Sequence, residues 1–184
     1  LEGRKKSLLS SQRFGASGHF FVRSPGGREQ NLATMWTSIE DSLCELGESP
    51  FWHPEERSLY WLDIPGRAVL RTRGEIGSPD AKVERWPLPT EPGCMAPVEG
   101  GGLVIALRDG IYRTQGWGTA LERVVPFHHD TSKFRFNDGK ADPLGRFWAG
   151  TIYEPRDQSR AELYCIDMRP DNGQSGQPLV TAKA

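Results

Sequence analysis

Three stretches of this chain are built to one design, and they recur every 44 residues. Each has a turn marked by Gly or Pro, a short strand of aromatic or β-branched residues, a brief turn and a second strand. The first is His53-Pro54-Glu55-Glu56-Arg57-Ser58-Leu59-Tyr60-Trp61-Leu62-Asp63, then Ala68-Val69-Leu70-Arg71. The second is Glu99-Gly100-Gly101-Gly102-Leu103-Val104-Ile105-Ala106, then Gly110-Ile111-Tyr112-Arg113. The third is Asp142-Pro143-Leu144-Gly145-Arg146-Phe147-Trp148-Ala149-Gly150, followed after an insertion by Glu162-Leu163-Tyr164-Cys165-Ile166-Asp167. Leu59, Leu103 and Phe147 are the equivalent positions. A period of this length, made of short strands with no helical spacing, predicts an all-β chain assembled from four-stranded propeller blades. Strands of an unrelated β-sandwich falling into step are the alternative.

Composition agrees, since 21 Gly, 14 Pro and 36% apolar residues suit many short strands and turns. Tyr60, Trp61, Val104, Ile105, Phe147 and Trp148 are types that fill a packed, pleated surface, so the aromatics are expected in the core. Pro79, Pro87, Pro89, Pro92 and Pro97 mark loops and edge strands, because proline cannot donate to a ladder. About three blades fit between Cys44 and Ala184, fewer than the four to eight that usually close a ring. The expectation is therefore a partial propeller over 35–184, with Gly176 to Ala184 beginning a further strand.

Residues 1–34 carry six basic and two acidic side chains and show no apolar periodicity. They read as disordered, or as an extension upstream of a natural start at Met35, with a transit-like segment as the alternative. The formal net charge of −1 provides no basic field for nucleic acid or anionic lipid. The longest apolar run, Leu103 to Leu107, is too short to span a bilayer. Cys44, Cys94 and Cys165 form no C-x-x-C pair, which suits free thiols in a reducing, cytoplasmic setting. Small molecules are the expected partners.

No nucleophile elbow, phosphate loop, H-E-x-x-H or zinc thiol pair is present. His128-His129 beside Asp130 could bind a metal but lacks a third ligand at useful spacing. Two segments are more unusual. Leu46-Gly47-Glu48-Ser49-Pro50-Phe51-Trp52 holds an acid between Gly and Ser-Pro just before the first aromatic strand. Arg135-Phe136-Asn137-Asp138-Gly139-Lys140-Ala141-Asp142-Pro143 concentrates polar groups, and its Asn-Asp-Gly and Asp-Pro are also ordinary turn formers. Strand alternation would put Arg135 and Asn137 on one face and Phe136 on the other, pairing a guanidinium with an amide. That pair suits a polyhydroxylated or anionic small ligand.

These segments, together with Tyr60-Trp61-Leu62-Asp63-Ile64-Pro65 and Asp142-Pro143-x-Gly145-Arg146-x-Trp148-x-Gly150-Thr151, resemble the senescence-marker-protein-30/gluconolactonase/luciferin-regenerating-enzyme family, which includes regucalcin and bacterial aldonolactonases. The likeness runs from about Glu45 to Ala184. It implies a six-bladed propeller with one divalent ion, Ca²⁺, Zn²⁺, Mg²⁺ or Mn²⁺, in a central channel, and hydrolysis of sugar lactones to aldonic acids. It implies that Glu48 is a metal ligand, that Arg135 and Asn137 hold lactone oxygens, and that Glu154 is the nearest candidate for a further substrate-contacting acid. The remaining metal ligands and the catalytic base, an Asp, are expected beyond Ala184, so the chain alone is expected to be inactive. A non-enzymatic calcium-binding regulator is the competing expectation.

Overall fold

The computed structural model describes residues 39–74, 76, 80–170 and 178–183, and the backbone of 21–23 and 29–31. The chain divides into two compact units, Leu1–Ser38 and Ile39–Ala184. In the first, β1 (Phe21–Arg23) and β2 (Glu29–Asn31) form an antiparallel hairpin with Phe21 opposite Asn31. The hairpin falls in the stretch expected to be disordered, most of which lies outside the described residues, as does Pro79.

The second unit contains three four-stranded antiparallel sheets. The first is β3 (Gly47–His53), β4 (Ser58–Asp63), β5 (Ala68–Arg73) and β6 (Lys82–Pro87). The second is β7 (Pro92–Pro97), β8 (Leu103–Leu107), β9 (Gly110–Arg113) and β10 (Glu122–Pro126), and the third is β11 (Phe134–Ala141), β12 (Phe147–Tyr153), β13 (Leu163–Asp167) and β14 (Leu179–Lys183). In each sheet, strands adjacent in sequence are adjacent in space, as expected of strands joined by short turns. The strand expected to open near the chain's end is therefore the fourth strand of the third sheet. No helix occurs among the described residues. Pro87, Pro92 and Pro97 all lie on edge strands, β6 and β7, where a missing donor costs least.

The 44-residue period is a period of faces. Leu103, Ile105 and Leu107 pack against Tyr60 and Leu62 of the first sheet. Val104 and Ala106, on the opposite face, pack with Phe147, Ala149 and Phe136 of the third. Leu59 joins Trp61, Ala68 and Leu70 on the face of the first sheet that turns away from the second. Leu59, Leu103 and Phe147 thus occupy one position on the corresponding face of successive sheets. The order of sheets along the chain is their packing order, and β8, the second strand of the middle sheet, is apolar on both faces, as a strand sandwiched between two sheets must be.

A buried threonine repeats with the strands. Thr72 and Thr114 are 0% and 1% exposed, and their hydroxyl oxygens accept the backbone N–H of Leu59 at 2.9 Å and of Leu103 at 3.0 Å. Replacing Thr114 with valine leaves a buried N–H without a partner at nearly constant volume, and is expected to cost about 1–2 kcal/mol. A urea midpoint equal to that of the unmodified protein would contradict this.

The first strands of the sheets lie side by side, with β7 between β3 and β11. The backbone N–H of Met95 donates to Ser49 Oγ at 3.3 Å. Gly93 rests on the Phe136–Asn137 peptide so closely that a Cβ there would stand 2.4 Å from the Phe136 carbonyl carbon. All three strands are irregular at matching places, between Glu48 and Phe51, Pro92 and Cys94, and Phe136 and Gly139. Such bulges re-aim side chains where pairing is interrupted. Two of them fall on the segments singled out in the sequence.

Candidate functional site

The site is built at the end where β3, β7 and β11 begin. Its first element is the bulge at Glu48. Ser49 has a φ of 54°, a left-handed conformation that a non-glycine residue adopts only when its surroundings impose it. Here the restraint is the bond from Met95 N to Ser49 Oγ, which holds Ser49 against the extended backbone that a residue before proline prefers. The neighbouring Glu48 is exposed, and its carboxylate has no hydrogen bond or ion pair among the described residues.

The chain entering this bulge is pinned by Asp63, which is 2% exposed. Asp63 Oδ1 accepts the backbone N–H groups of Glu45 at 3.2 Å, Leu46 at 3.3 Å and Gly66 at 3.3 Å. Its Oδ2 accepts from Arg85 Nη2 at 3.0 Å. Burial opposes ionisation, but the donors from Arg85, Leu46 and Gly66 outweigh it and hold the carboxyl below the usual carboxylate range.

The second element is β11. Phe136 is 1% exposed in the core between the second and third sheets, while Arg135 and Asn137 turn the other way, as alternation requires. Arg135 Nη1 donates to Asn137 Oδ1 at 3.1 Å and to the Phe136 carbonyl at 3.0 Å. Arg135 Nε lies 3.3 Å from Glu154 Oε1. The Arg135 Nη2 and the Asn137 amide nitrogen have no acceptor among the described residues. Two donors are therefore left unpaired among the described residues, one of them on the guanidinium that approaches Glu154.

Glu154 follows β12, its backbone N–H donating to the Lys133 carbonyl at 2.8 Å. Its carboxylate is gripped from the second sheet by Arg108, through Nη1 at 2.9 Å and Nη2 at 3.3 Å. Arg108 Nε also reaches Glu91 Oε2 at 3.1 Å, and Glu91 Oε1 lies 3.7 Å from Arg67 Nη2. One line of alternating charge, Arg67, Glu91, Arg108, Glu154, Arg135, thus crosses all three sheets. Hydrogen bonding to Glu154 raises the Arg108 pKa further, against the opposing effect of burial. Burial also opposes ionisation of Glu91, yet its own backbone N–H and the charges of Arg108 and Arg67 lower its pKa.

The structure thus brings Arg135, Asn137 and Glu154 into one cluster. Glu48 stands on β3, across β7 from them, without touching them. Arg108 and Glu91 were missed by the sequence reading, because an Arg-Asp-Gly turn carries no sign of a distant carboxylate. His128 and His129 line a cavity of about 520 Å³ with Lys133, Phe134, Arg160 and Tyr164. His129 Nε2 lies 3.1 Å from the Arg108 carbonyl oxygen, and Asp130 accepts from Ser132 within its own loop. No three His, Cys, Asp or Glu residues converge among the described residues.

The sequence profile described as the SMP-30/Gluconolactonase/LRE-like region matches residues 46–177. The chain belongs to this family. Over 122 residues it is 41% identical to the 6-deoxy-6-sulfogluconolactonase of Pseudomonas putida, a match covering 66% of this chain and 40% of that protein. It is 35% identical over 132 residues to the pentonolactonase XacC of Haloferax volcanii, covering 71% of this chain and 42% of that protein. Among solved structures, a calcium-binding regucalcin from Agrobacterium tumefaciens superposes with a TM-score of 0.60 at 22% identity, over 74% of this chain and 43% of that one. The chain spans about two-fifths of the length of these relatives. The resemblance seen in the motifs is thus a family membership, and the family includes sugar lactonases.

Proposed function

We propose that the complete protein hydrolyses sugar lactones to aldonic acids, and that this chain supplies three blades of a six-bladed propeller together with the substrate-holding side of its site. The observation that carries this reading is the pair of unpaired donors, Arg135 Nη2 and the Asn137 amide, on side chains joined to each other and, through Arg135, to the Glu154 carboxylate. A sugar lactone offers a carbonyl, a ring oxygen and hydroxyls. Arg135 and Asn137 donate to the oxygens, Glu154 accepts from a hydroxyl, and an orienting grip of this kind lowers the entropic cost of reaching the reactive geometry.

Glu48 suits a divalent ion, being an exposed oxygen ligand with no competing partner among the described residues. A bound ion would polarise the lactone carbonyl as a Lewis acid. The described residues offer this one ligand only, so its other ligands, and the proton acceptor for the attacking water, are assigned to no residue of this chain. The chain alone is accordingly expected not to turn over lactone. Cys44, Cys94 and Cys165, none of them in a disulfide among the described residues, support a reducing, cytoplasmic setting.

Acid release from D-glucono-1,5-lactone by the complete protein, followed with a pH indicator with and without chelator, tests the assignment. Turnover is expected, with the KM of Arg135→Met raised roughly tenfold or more by loss of a charged hydrogen bond. No acid release from any aldonolactone would overturn the reaction. Calcium binding without turnover would instead support a non-enzymatic regulator.

A further inference from the structure

Arg108 is the most heavily engaged side chain at the site end, and nothing in the proposed reaction uses it. It lies in the turn between β8 and β9, on the second sheet, yet three of its five contacts go to Phe134, which opens β11, and Glu154, which follows β12, and a fourth goes to Thr131 in the loop before β11. Its Nη1 donates to the carbonyl oxygens of Thr131 at 2.6 Å and Phe134 at 3.3 Å as well as to Glu154. Its Nη2 takes the second Glu154 oxygen and its Nε takes Glu91. The two carbonyls lie just before and at the first residue of β11, the strand that carries Arg135.

We propose that Arg108 is a positioning residue for Arg135, acting through Glu154. This rests on the assignment of Arg135 to substrate binding. A carboxylate whose two oxygens both face one guanidinium fork cannot offer that same edge to a second fork, although each oxygen keeps a site for a single further donor. The nearest approach of Glu154 to Arg135 is at Nε, 3.3 Å away, and no hydrogen bond joins the two side chains. Released from Arg108, Glu154 would have Arg135 as its one remaining guanidinium partner. The favoured arrangement is then the two-point pair through Nε and Nη2. That pair occupies the nitrogen left open for a lactone oxygen. Arg108 keeps the substrate donor free by competing for its acid.

The test uses the complete protein and three variants. Arg108→Met is expected to raise KM about tenfold while kcat changes less than twofold, the pattern of lost uniform binding. Arg108→Lys is expected to resemble Arg108→Met, because an ammonium cannot make the fork. Glu91→Gln removes an ion pair of Arg108 but leaves the fork on Glu154, and its KM is expected within twofold of the unmodified value. Hydrogen exchange of the Arg135 guanidinium N–H groups, read by NMR, is expected to slow in Arg108→Met, where Glu154 closes on Nε and Nη2. An unchanged KM in Arg108→Met, equal losses in Glu91→Gln, or unchanged Arg135 exchange would each overturn the inference. If the unmodified protein released no acid from any aldonolactone, the reaction would fall, and the Arg135 exchange would still decide whether Arg108 governs Glu154.

Discussion

Gly93→Ala is expected to destabilise the protein by about 3 kcal/mol or more, the upper range for forcing a methyl group into filled space. The added Cβ would lie 2.4 Å from the carbonyl carbon of Phe136, 2.6 Å from its oxygen and 2.7 Å from Asn137 N. All three are backbone atoms, so no rotamer change relieves the clash, and β7 and β11 must move apart. The damage falls on the peptide that links Phe136, in the core, to Asn137, at the site, so both stability and the Arg135–Asn137 pairing should suffer. Gly116→Ala is the control. Its Cβ would meet nothing nearer than Thr119 Cγ2 at 3.8 Å, and its cost is expected below about 0.5 kcal/mol. Urea unfolding of both variants decides the matter, and equal midpoints would show that the two first strands do not approach this closely.

That contact also marks where sequence reading stops. The period was readable because each sheet spends the same residues on the same faces, with Leu59, Leu103 and Phe147 entering their second strands alike. The pairing of Arg135 with Asn137 was readable because alternation is a local rule of extended chain. Gly93 gave no such signal. A glycine beside a proline reads as a turn, and only the neighbouring sheet shows that a strand lies against it. Arg108 was hidden for the same reason, its acidic partners being 17 and 46 residues away. Ser49 was half visible, since Ser-Pro suggests a bend, whereas its positive φ depends on β7 holding its hydroxyl. What the sequence showed was periodic or local, and what it concealed was contact between sheets.

Asp63 joins these two kinds of information, and Asp63→Asn is expected to cost about 2–3 kcal/mol at neutral pH. The motif Tyr60-Trp61-Leu62-Asp63 places an acid at the end of a strand, where it would pass for a turn former. In the folded chain it is buried and accepts three backbone N–H groups and the Arg85 guanidinium. Gly66 is required beside it, since a Cβ there would stand 2.1 Å from Asp63 Oδ2. An asparagine amide can keep the backbone donors on its oxygen, but its NH₂ then faces Arg85, so a donor meets a donor. Arg85 is half-exposed and can turn to water, which keeps the loss below that of a fully buried pair. The sign of the pH dependence follows from the lowered carboxyl pKa. The stabilisation is complete above the unfolded value of about 3.9 and is lost as pH falls through the lower folded value. Unmodified protein and Asp63→Asn should therefore differ by a constant amount from about pH 7 to pH 5 and converge progressively below about pH 4. A gap that stayed flat into the acid range would show that the charge of Asp63 does not matter. Hydrogen exchange gives the local reading. The amides of Glu45, Leu46 and Gly66 should exchange faster in the variant, because the same carboxylate that closes the β4–β5 turn also sets the approach of the chain to Glu48.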